Sequence, residues 1–352
     1  MIKEIELVLA PEHSNDEDFI RDQARKSLNI TNERIVIVRI LKRSIDARGR
    51  KVVFRLKVNV FIDQLPEPEI FTVKMFKDRT LLIATKHQKE KVIAPILEKE
   101  LGVKCVVYPS FDTDLFGTFS GEIERDQDPL TTARKKCQSA MNTYNCDLAI
   151  ASEGSFGSHP SAFFIPADDE ILVLIDKKNG LEIKIREIST ETNFGGTEVT
   201  TEQELLEFAN AVGFPSHGLI LKKAEDDLSE IKKGITDSRS LLETFHAFIS
   251  KSTSVWVETD MRAMYNPKRM KVIEKATLRL VDKIKTLCPA CQSPGFGISE
   301  VQKGLPCNRC GLPTNTTLSY VSTCQKCEHS QEELYPNQKT SEDPKFCDYC
   351  NP

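Results

Sequence analysis

Four Cys-x-x-Cys pairs crowd the C-terminal segment of this chain. Their members are Cys288, Cys291, Cys307, Cys310, Cys324, Cys327, Cys347 and Cys350. Two such pairs supply the four soft thiolates that a tetrahedral zinc ion requires, and each successive half of the segment has the spacing of a four-cysteine zinc ribbon. Four thiolates leave no position for water, so the sequence predicts two structural Zn²⁺ ions rather than a catalytic one.

The cysteine pairs fit two other kinds of site less well. Redox activity is disfavoured because no thioredoxin-like context surrounds the pairs, and an iron–sulfur cluster because its usual tighter clustering of cysteines is absent. The pairing of the ligands stays open, since the first pair could join either the second or the third. We expect sequential sites, with the first pair joined to the second and the third to the fourth.

A second group of chemistry-bearing residues follows predicted strands in the middle of the chain. The candidates for contact with phosphate are Thr85, His87, Lys89, Lys136 and Arg262. The first three lie between a strand at 80–85 and the helix after it, where free backbone N–H groups favour anions. The alternative is that Lys86, Lys89 and Lys91 form the solvated face of a helix, as charge runs usually do.

Three carboxylates accompany these cations. Glu122 and Glu124 precede the helix that carries Lys136, and Glu153 lies in a predicted polar loop, 152–157, after a strand at 147–151. Carboxylates beside lysines at strand ends suit a Mg²⁺–phosphate site, so all three are candidate catalytic residues. Glu153 could instead cap a turn.

The length and composition are those of a globular protein with several hydrophobic cores. It has 352 residues, 39% of them hydrophobic and 28% charged, and a net charge of −4. The first residues are too charged for a signal peptide, and no apolar stretch has the roughly 18 residues that a membrane helix needs. We therefore expect a cytoplasmic protein without a membrane partner, in which the cysteines bind metal or lie buried.

The order of predicted elements gives an α/β fold class with three domains. Residues 1–72 read as a small β-α-β-β unit, and 73–287 as a mixed or parallel α/β domain with the candidate active site. The double zinc-ribbon module is 288–352. Helix start signals stand at Asp128-Pro129, at a capping box beginning with Thr201, and at Asn266-Pro267.

Local charge bears on possible partners. The stretch from Arg39 to Lys57 holds eight cations and one anion, so nucleic acid could contact it, although no interleaved aromatic residues support base stacking. The zinc module holds five cations and seven anions, which favours a protein partner over a nucleic acid.

Several motifs resemble known families. Ala84-Thr-Lys-His87, Ala151-Ser-Glu-Gly-Ser-Phe-Gly157 and the cysteine pairs, within about 84–350, are similar to an uncharacterised bacterial family of unknown function. The order of motifs also resembles the inosine/xanthosine triphosphate pyrophosphatase superfamily. That resemblance implies phosphate contacts by Thr85 and His87, and a helical lysine at Lys136.

The same resemblance implies metal binding by Glu122 or Glu124 and by Glu153. It departs at Glu90, which stands where the superfamily's phosphate loop has a lysine. Leu41-Lys-Arg-Ser-Ile-Asp-Ala-Arg48 resembles the small N-terminal domain of bacterial FAD-dependent oxidoreductases, but no Gly-x-Gly-x-x-Gly follows the first strand, so no flavin is implied.

Two functions are therefore expected from the sequence. The first is a Mg²⁺-dependent hydrolase of nucleotide phosphates that also carries the structural zinc module. The alternative is a non-enzymatic adaptor that uses the zinc module to bind a protein or nucleic acid. Whether Thr85, Glu153 and Arg262 converge separates the two hypotheses.

Overall fold

A computed structural model describes residues 1–14, 16–47, 52–63, 75–111, 127–160 and 162–351. The fold divides into two compact units, of which unit 1 combines Met1–Met75 with Asp282–Pro352 and unit 2 is Phe76–Val281. The predicted domains 1–72 and 288–352 thus both belong to unit 1. Within the described ranges, no helix is long and apolar enough to cross a membrane.

The described strands are β1 (Ile2–Leu9), β2 (Ile35–Asp46), β3 (Val53–Ile62), β4 (Thr80–Ala84), β5 (Lys104–Val106), β6 (Leu148–His159), β7 (Ala162–Asp176), β8 (Leu181–Ser189), β9 (Gly196–Val199), β10 (Leu219–Ala224), β11 (Asp227–Ile235), β12 (Val255–Thr259), β13 (Gly297–Lys303), β14 (Thr317–Thr323) and β15 (Ser330–Leu334). The described α-helices are α1 (Glu17–Leu28), α2 (Glu90–Leu101), α3 (Pro129–Tyr144), α4 (Glu202–Val212), α5 (Ser238–Ile249) and α6 (Pro267–Lys285).

The N-terminal part of unit 1 is the predicted β-α-β-β unit. Its antiparallel sheet has the order β1-β3-β2. Alternate residues of β3, from Leu56 to Ile62, form a core with apolar residues of α1 such as Ile20 and Ala24. Period-2 alternation in a strand facing an amphipathic helix made this part predictable.

The C-terminal part of unit 1 is built on a second antiparallel sheet, in the order β13-β14-β15. The strands run as a meander, so consecutive connections lie at alternating ends of the sheet. One Cys-x-x-Cys pair stands before β13, one in each of the two connections, and one after β15. This arrangement decides which cysteines meet.

The described residues of unit 2 form two sheets. The larger has the order β5-β4-β6-β7-β8, with β5, β4 and β6 parallel and β6, β7 and β8 antiparallel. It is therefore mixed, one of the two architectures expected. The smaller sheet, β11-β10-β12-β9, is antiparallel throughout and shares a core with α4 and α5.

The helix start signals read from the sequence are confirmed. Asp128 accepts hydrogen bonds from the N–H groups of Leu130 and Thr131. Thr201 forms a reciprocal capping box with Glu204, and Asn266 accepts from the N–H of Arg269. Such caps satisfy N–H groups that the first helical turn leaves open.

One strand is much longer than predicted. The stretch 152–157, predicted as a polar Gly-rich loop, continues strand β6 and pairs residue by residue with β7 as far as Ser158. The prediction was wrong because glycine and serine have low intrinsic strand preference, whereas pairing with a distant strand determines the structure here.

Candidate metal centres and a buried ionic cluster

The eight clustered cysteines form two groups of four. Site 1 consists of Cys288, Cys291, Cys324 and Cys327, and site 2 of Cys307, Cys310, Cys347 and Cys350. In each group the four sulfur atoms lie within 4.8 Å of one another. The prediction of two four-cysteine clusters that could hold two zinc ions is confirmed, but the expected sequential pairing was wrong.

The meander explains why the pairs interleave. Strand β13, of seven residues, separates the first pair from the second, and seven residues of strand span about 20 Å. The chain returns along β14, so the third pair lies beside the first, and β15 carries the fourth pair back to the second. Sequential pairing would require one zinc ion to bridge the length of the sheet.

Distances between sulfur atoms fit a zinc ion. Zn–S bonds of about 2.3 Å in a tetrahedron place sulfur atoms about 3.8 Å apart. In site 1, Cys288 Sγ lies 3.7 Å from Cys327 Sγ, and Cys291 Sγ lies 3.5 Å from Cys324 Sγ. The corresponding distances in site 2 are 3.9 Å and 3.6 Å.

All four pairs share one backbone hydrogen bond. The N–H four residues after the first cysteine donates to that cysteine's carbonyl, as from Gln292 to Cys288 and from Asn351 to Cys347. In the first three pairs the residue after the second cysteine also has a left-handed conformation: Gln292 at φ 60°, Gly311 at φ 75° and Glu328 at φ 64°. N–H groups of the turns also point at sulfur, as from Lys326 to Cys324 Sγ at 3.4 Å, which favours the thiolate form.

In unit 2 the candidate site lies where β4 ends. Ala84 pairs with Ala151, after which β6 continues without β4 beside it. Lys89, at the start of α2, donates from Nζ to the hydroxyl of Ser152 at 2.8 Å and to its carbonyl at 3.1 Å. The ammonium group therefore lies beside β6 just beyond the last residue of β4. We call this position the notch.

The topology of the sheet makes this notch a candidate ligand site. From β4 the chain passes through α2 to β5 on one side, and from β5 it passes through α3 to β6 on the other. Right-handed crossovers in opposite directions place α2 and α3 on opposite faces of the sheet. Open α/β sheets bind ligands at such a switch point, beyond the carboxyl ends of the strands.

Strand alternation divides the nearby acids between the two faces. Glu153 pairs with Ile171, on the face whose core includes Ala149, Ala151 and residues of α3. There its carboxylate forms an ion pair with Lys136. Gly154 pairs with Glu170, so Glu170 and Asp168 point to the opposite face.

Arg269 of α6 is buried against this second face. Its Nε donates to Glu170 Oε1 at 2.6 Å and its Nη1 to the carbonyl of Met261 at 2.5 Å. The guanidinium lies over the ring of Phe156, 5.0 Å from the centroid. A planar guanidinium suits such a combination of stacking and directed hydrogen bonds, which a lysine could not reproduce.

Burial shifts the titration of two groups in this cluster. It lowers the pKa of Lys89 to about 8; the charge of Glu170 opposes this shift, and that of Arg269 adds to it. Burial also raises the pKa of Asp168, and the neighbouring negative charge of Glu170 raises it further. Desolvation disfavours the charged form of each group.

Three buried polar atoms in this region have no hydrogen-bond partner among the described residues. They are Thr85 Oγ1, Asp168 Oδ1 and Glu170 Oε2. Asp168 is 1% exposed and Glu170 is 0% exposed. Buried polar atoms are rarely left unpaired in native proteins, and a bound ion or ligand is a common reason when they are.

The structure brings together four of the predicted site residues, namely Thr85, Lys89, Lys136 and Glu153. Arg262 instead forms an ion pair with Asp260 at 2.6 Å and lies over the ring of Tyr265, so the convergence of Thr85, Glu153 and Arg262 expected of a hydrolase is not observed. His87 lies in the turn that precedes α2, and the predicted Glu122 and Glu124 lie outside the described residues.

Sequence reasoning missed Asp168, Glu170 and Arg269. The two acids alternate at the head of the apolar run 171–175, a pattern that indicates polar side chains on one face of a strand. Nothing local indicates Arg269, which meets Glu170 from 99 residues away along the chain.

Comparison with known proteins places these residues in a family. The model described as "Domain of unknown function (DUF6671)" matches residues 136–352. The chain belongs to the DUF6671 family. The match includes all eight zinc-site cysteines as well as Glu153, Asp168, Glu170 and Arg269, whereas Thr85 and Lys89 precede it. A second model, "Domain of unknown function (DUF8436)", matches residues 1–61, and no curated protein matches the chain.

Paired serine substitutions test the interleaved zinc ligands. At saturating zinc, Cys291→Ser with Cys324→Ser removes ligands from site 1 alone and should leave about one zinc per chain. Cys291→Ser with Cys307→Ser damages both sites and should leave almost none. Zinc content would be measured by elemental analysis of the purified proteins. Sequential pairing predicts the reverse order of zinc content for the two double variants.

Gly154 should be intolerant of a side chain. A Cβ at this position would collide with the Glu170 carboxylate and the Arg269 guanidinium, so Gly154→Ala should lower the free energy of unfolding by about 1–3 kcal/mol. Gly157→Ala, in the same strand with open space at its Cβ, is the matched control. Urea denaturation would compare the two variants, and equal effects would contradict the close packing at Gly154.

The titration of Lys89 should contribute to the pH dependence of the free energy of unfolding. Because its folded-state pKa is lowered to about 8, the unfolded chain binds more protons between about pH 8 and pH 10. Unfolding free energy therefore rises with pH in this window, by at most about 1.4 kcal/mol per pH unit. Relative to Lys89→Met, which lacks this group, the wild type should gain stability from pH 8 to pH 10 in urea titrations. A difference that stays constant with pH would show that Lys89 titrates normally.

Proposed function

We propose that unit 2 hydrolyses phosphoanhydride bonds of nucleoside triphosphates with a divalent cation, Mg²⁺, held by Asp168 and Glu170. The observation that carries this proposal is the set of buried oxygen atoms near Lys89, at the switch point of the sheet, that have no hydrogen-bond partner within the described ranges. A protein that only needed to fold would gain by pairing these atoms or replacing them with apolar groups.

Asp168 and Glu170 are suited to a hard cation. They are two positions apart on one face of β7, and each has an oxygen without a partner among the described residues. Mg²⁺ is commonly held by one or two carboxylates, with water and substrate phosphate completing its shell. A bound cation would also offset the burial that favours protonation of Asp168.

The cations of the cluster supply the anion-binding half of the site. Lys89 extends from the start of α2, where the first backbone N–H groups of a helix favour negative charge. Arg269 balances Glu170 on the same face, and Thr85 adds a hydroxyl. Substrate phosphate held here would be flanked by positive charge and excluded from bulk water, the conditions under which electrostatic stabilisation of phosphoryl transfer is strongest.

Lys136 and Glu153 enter the proposal in changed roles. Each is the ion-pair partner of the other, and both lie on the α3 face, opposite the face that carries Asp168 and Glu170. We propose that this ion pair holds β6 in position beside the notch. The metal would bind on the opposite face of the sheet. The chemistry that Mg²⁺ supplies when bound is polarisation of a phosphoryl oxygen and activation of a water molecule.

The nucleotide class of substrate has a separate basis. It comes from the resemblance, in the order of motifs, to the inosine/xanthosine triphosphate pyrophosphatase superfamily, in which a phosphate loop, a helical lysine and an acidic segment follow one another. On this resemblance Thr85, Lys136 and Glu153 would stand for those motifs. The zinc sites take no part in the proposed reaction, because four thiolates fill the coordination shell of each ion and leave no position for substrate.

Activity assays with matched variants test the proposal. The purified protein with Mg²⁺ should release phosphate or pyrophosphate from at least one member of a panel of canonical and deaminated nucleoside triphosphates. Asp168→Asn and Glu170→Gln should each lower kcat/KM by about 100-fold or more, because a catalytic metal contributes several kcal/mol to the transition state.

Asp169→Asn is the control for these variants. Asp169 lies between the two acids but faces the other side of β7, where it pairs with Arg186, so its loss should leave activity near the wild-type value. Absence of release from the whole panel with Mg²⁺ or Mn²⁺ would refute the proposal and favour a non-enzymatic binding protein. Equal activity of Asp168→Asn and Asp169→Asn would refute the assigned metal ligands.

A further inference from the structure

The face of β6 that carries the proposed metal site continues beyond it. Ser152, Gly154 and Phe156 alternate with residues that face α3, so all three lie on this one face. Lys89 donates to the hydroxyl of Ser152, and Phe156 pairs with Asp168 across the β6–β7 ladder. Four residues of strand span about 13 Å. A cation and an aromatic ring therefore stand near the two ends of this face, with the metal ligands between them.

Phe156 contacts two further groups of this face. The Arg269 guanidinium lies over its ring, 5.0 Å from the centroid. The ring of Phe194 lies beside it, with 5.8 Å between the centroids and 33° between the ring planes. Because both contacts share Phe156, the Phe194 ring lies within about 11 Å of the guanidinium that pairs with Glu170. The ribose and phosphates of a nucleoside triphosphate can span that distance.

Phe194 lies in the loop between β8 and β9, and 37% of it is exposed to solvent. Hydrogen bonds hold the residues on both sides of it. Before it, the buried Asn193 donates from Nδ2 to the carbonyl of Val212 at 2.9 Å. After it, the carbonyl of Gly195 accepts from the N–H of Thr259 at 3.0 Å. An exposed ring on a loop fixed in this way loses little conformational entropy when it binds a ligand.

Asn266 links this loop to the cationic part of the site. Its Nδ2 donates to Asn193 Oδ1 at 2.8 Å, and its Oδ1 accepts from the N–H of Arg269 at 3.0 Å. Asn266 is completely buried. One buried amide therefore holds both the first turn of α6, which carries Arg269, and the residue that precedes Phe194. The fold thus fixes the separation between the guanidinium and the exposed ring.

We propose that Phe194, supported by Phe156, is the platform on which the base of the nucleotide substrate stacks. The phosphates then extend along β6 toward Lys89 and the metal ligands Asp168 and Glu170. This assignment rests on the nucleotide substrate proposed above for unit 2, and it gives that substrate an orientation. Every base has an aromatic face, so stacking favours nucleotides over inorganic polyphosphates without selecting one base.

Equilibrium binding to the full-length protein tests the platform. Titration calorimetry with Ca²⁺ in place of Mg²⁺ would compare adenosine, guanosine and inosine triphosphates with inorganic triphosphate, which has no base. Phe194→Ala should weaken binding of the tightest-binding nucleotide by about 5- to 150-fold, the range that stacking of one base on an aromatic ring contributes. Its affinity for inorganic triphosphate should equal that of the wild type, which also shows that the variant is folded.

Two further variants separate stacking from simple apolar contact. Phe194→Trp keeps an aromatic face and should bind the nucleotide about as tightly as the wild type, whereas Phe194→Leu should bind it as weakly as Phe194→Ala does. Equal affinity of the wild type for nucleotides and inorganic triphosphate would overturn the platform even if the protein hydrolyses nucleotides. Nucleotide binding that depends on Phe194, without release of phosphate or pyrophosphate, would support the platform and refute the hydrolase.

Discussion

Charge removed from water is the constraint that organises both compact units. An isolated ion in a protein interior costs several kcal/mol unless an opposite charge or directed hydrogen bonds meet it. In unit 2 the Lys89 ammonium, Arg269, Glu153 and Glu170 are all nearly inaccessible, and strands, helices and a glycine are arranged so that these charges meet. Gly154 illustrates the requirement, since its missing side chain leaves the space in which Glu170 and Arg269 pair.

The same constraint distinguishes the two kinds of site. In the zinc module, zinc ions held by the two cysteine clusters would compensate the thiolate charge together with backbone N–H groups of the turns, a closed arrangement suited to a structural role. In unit 2 the compensation is incomplete, because oxygens of Thr85, Asp168 and Glu170 lack partners among the described residues. Incomplete pairing in a buried site is costly to a fold, and function is the usual reason for retaining it.

Features that depend on local sequence were predictable from this chain. The cysteine ligands, the capping box at Thr201 and the alternation in β3 follow from residue type and short spacing. The pairing of the cysteines could not be read from spacing, because both pairings use the same turns. It follows from the strand order of the meander, which also places the third pair beside the first.

The candidate site of unit 2 was predictable only in part for the same reason. Thr85 and Lys89 follow a clear apolar strand, so their place at a strand end could be anticipated. Arg269 reaches Glu170 from a helix far along the chain, and Ser152 to Gly157 form a strand only because β7 pairs with them. Tertiary pairing of this kind leaves little trace in any single segment.

Interleaving has a consequence for how the zinc module fills with metal. The chain between the two pairs of site 1 contains the first pair of site 2, and the chain between the two pairs of site 2 contains the second pair of site 1. The first ion to bind thus closes a loop of chain that contains one cysteine pair of the other site. The chain then has less conformational entropy to lose when the second ion binds. Loading should therefore be cooperative. The segment from Cys288 to Cys350 can be transferred to another protein only as a whole, since neither half carries a complete set of ligands for either site.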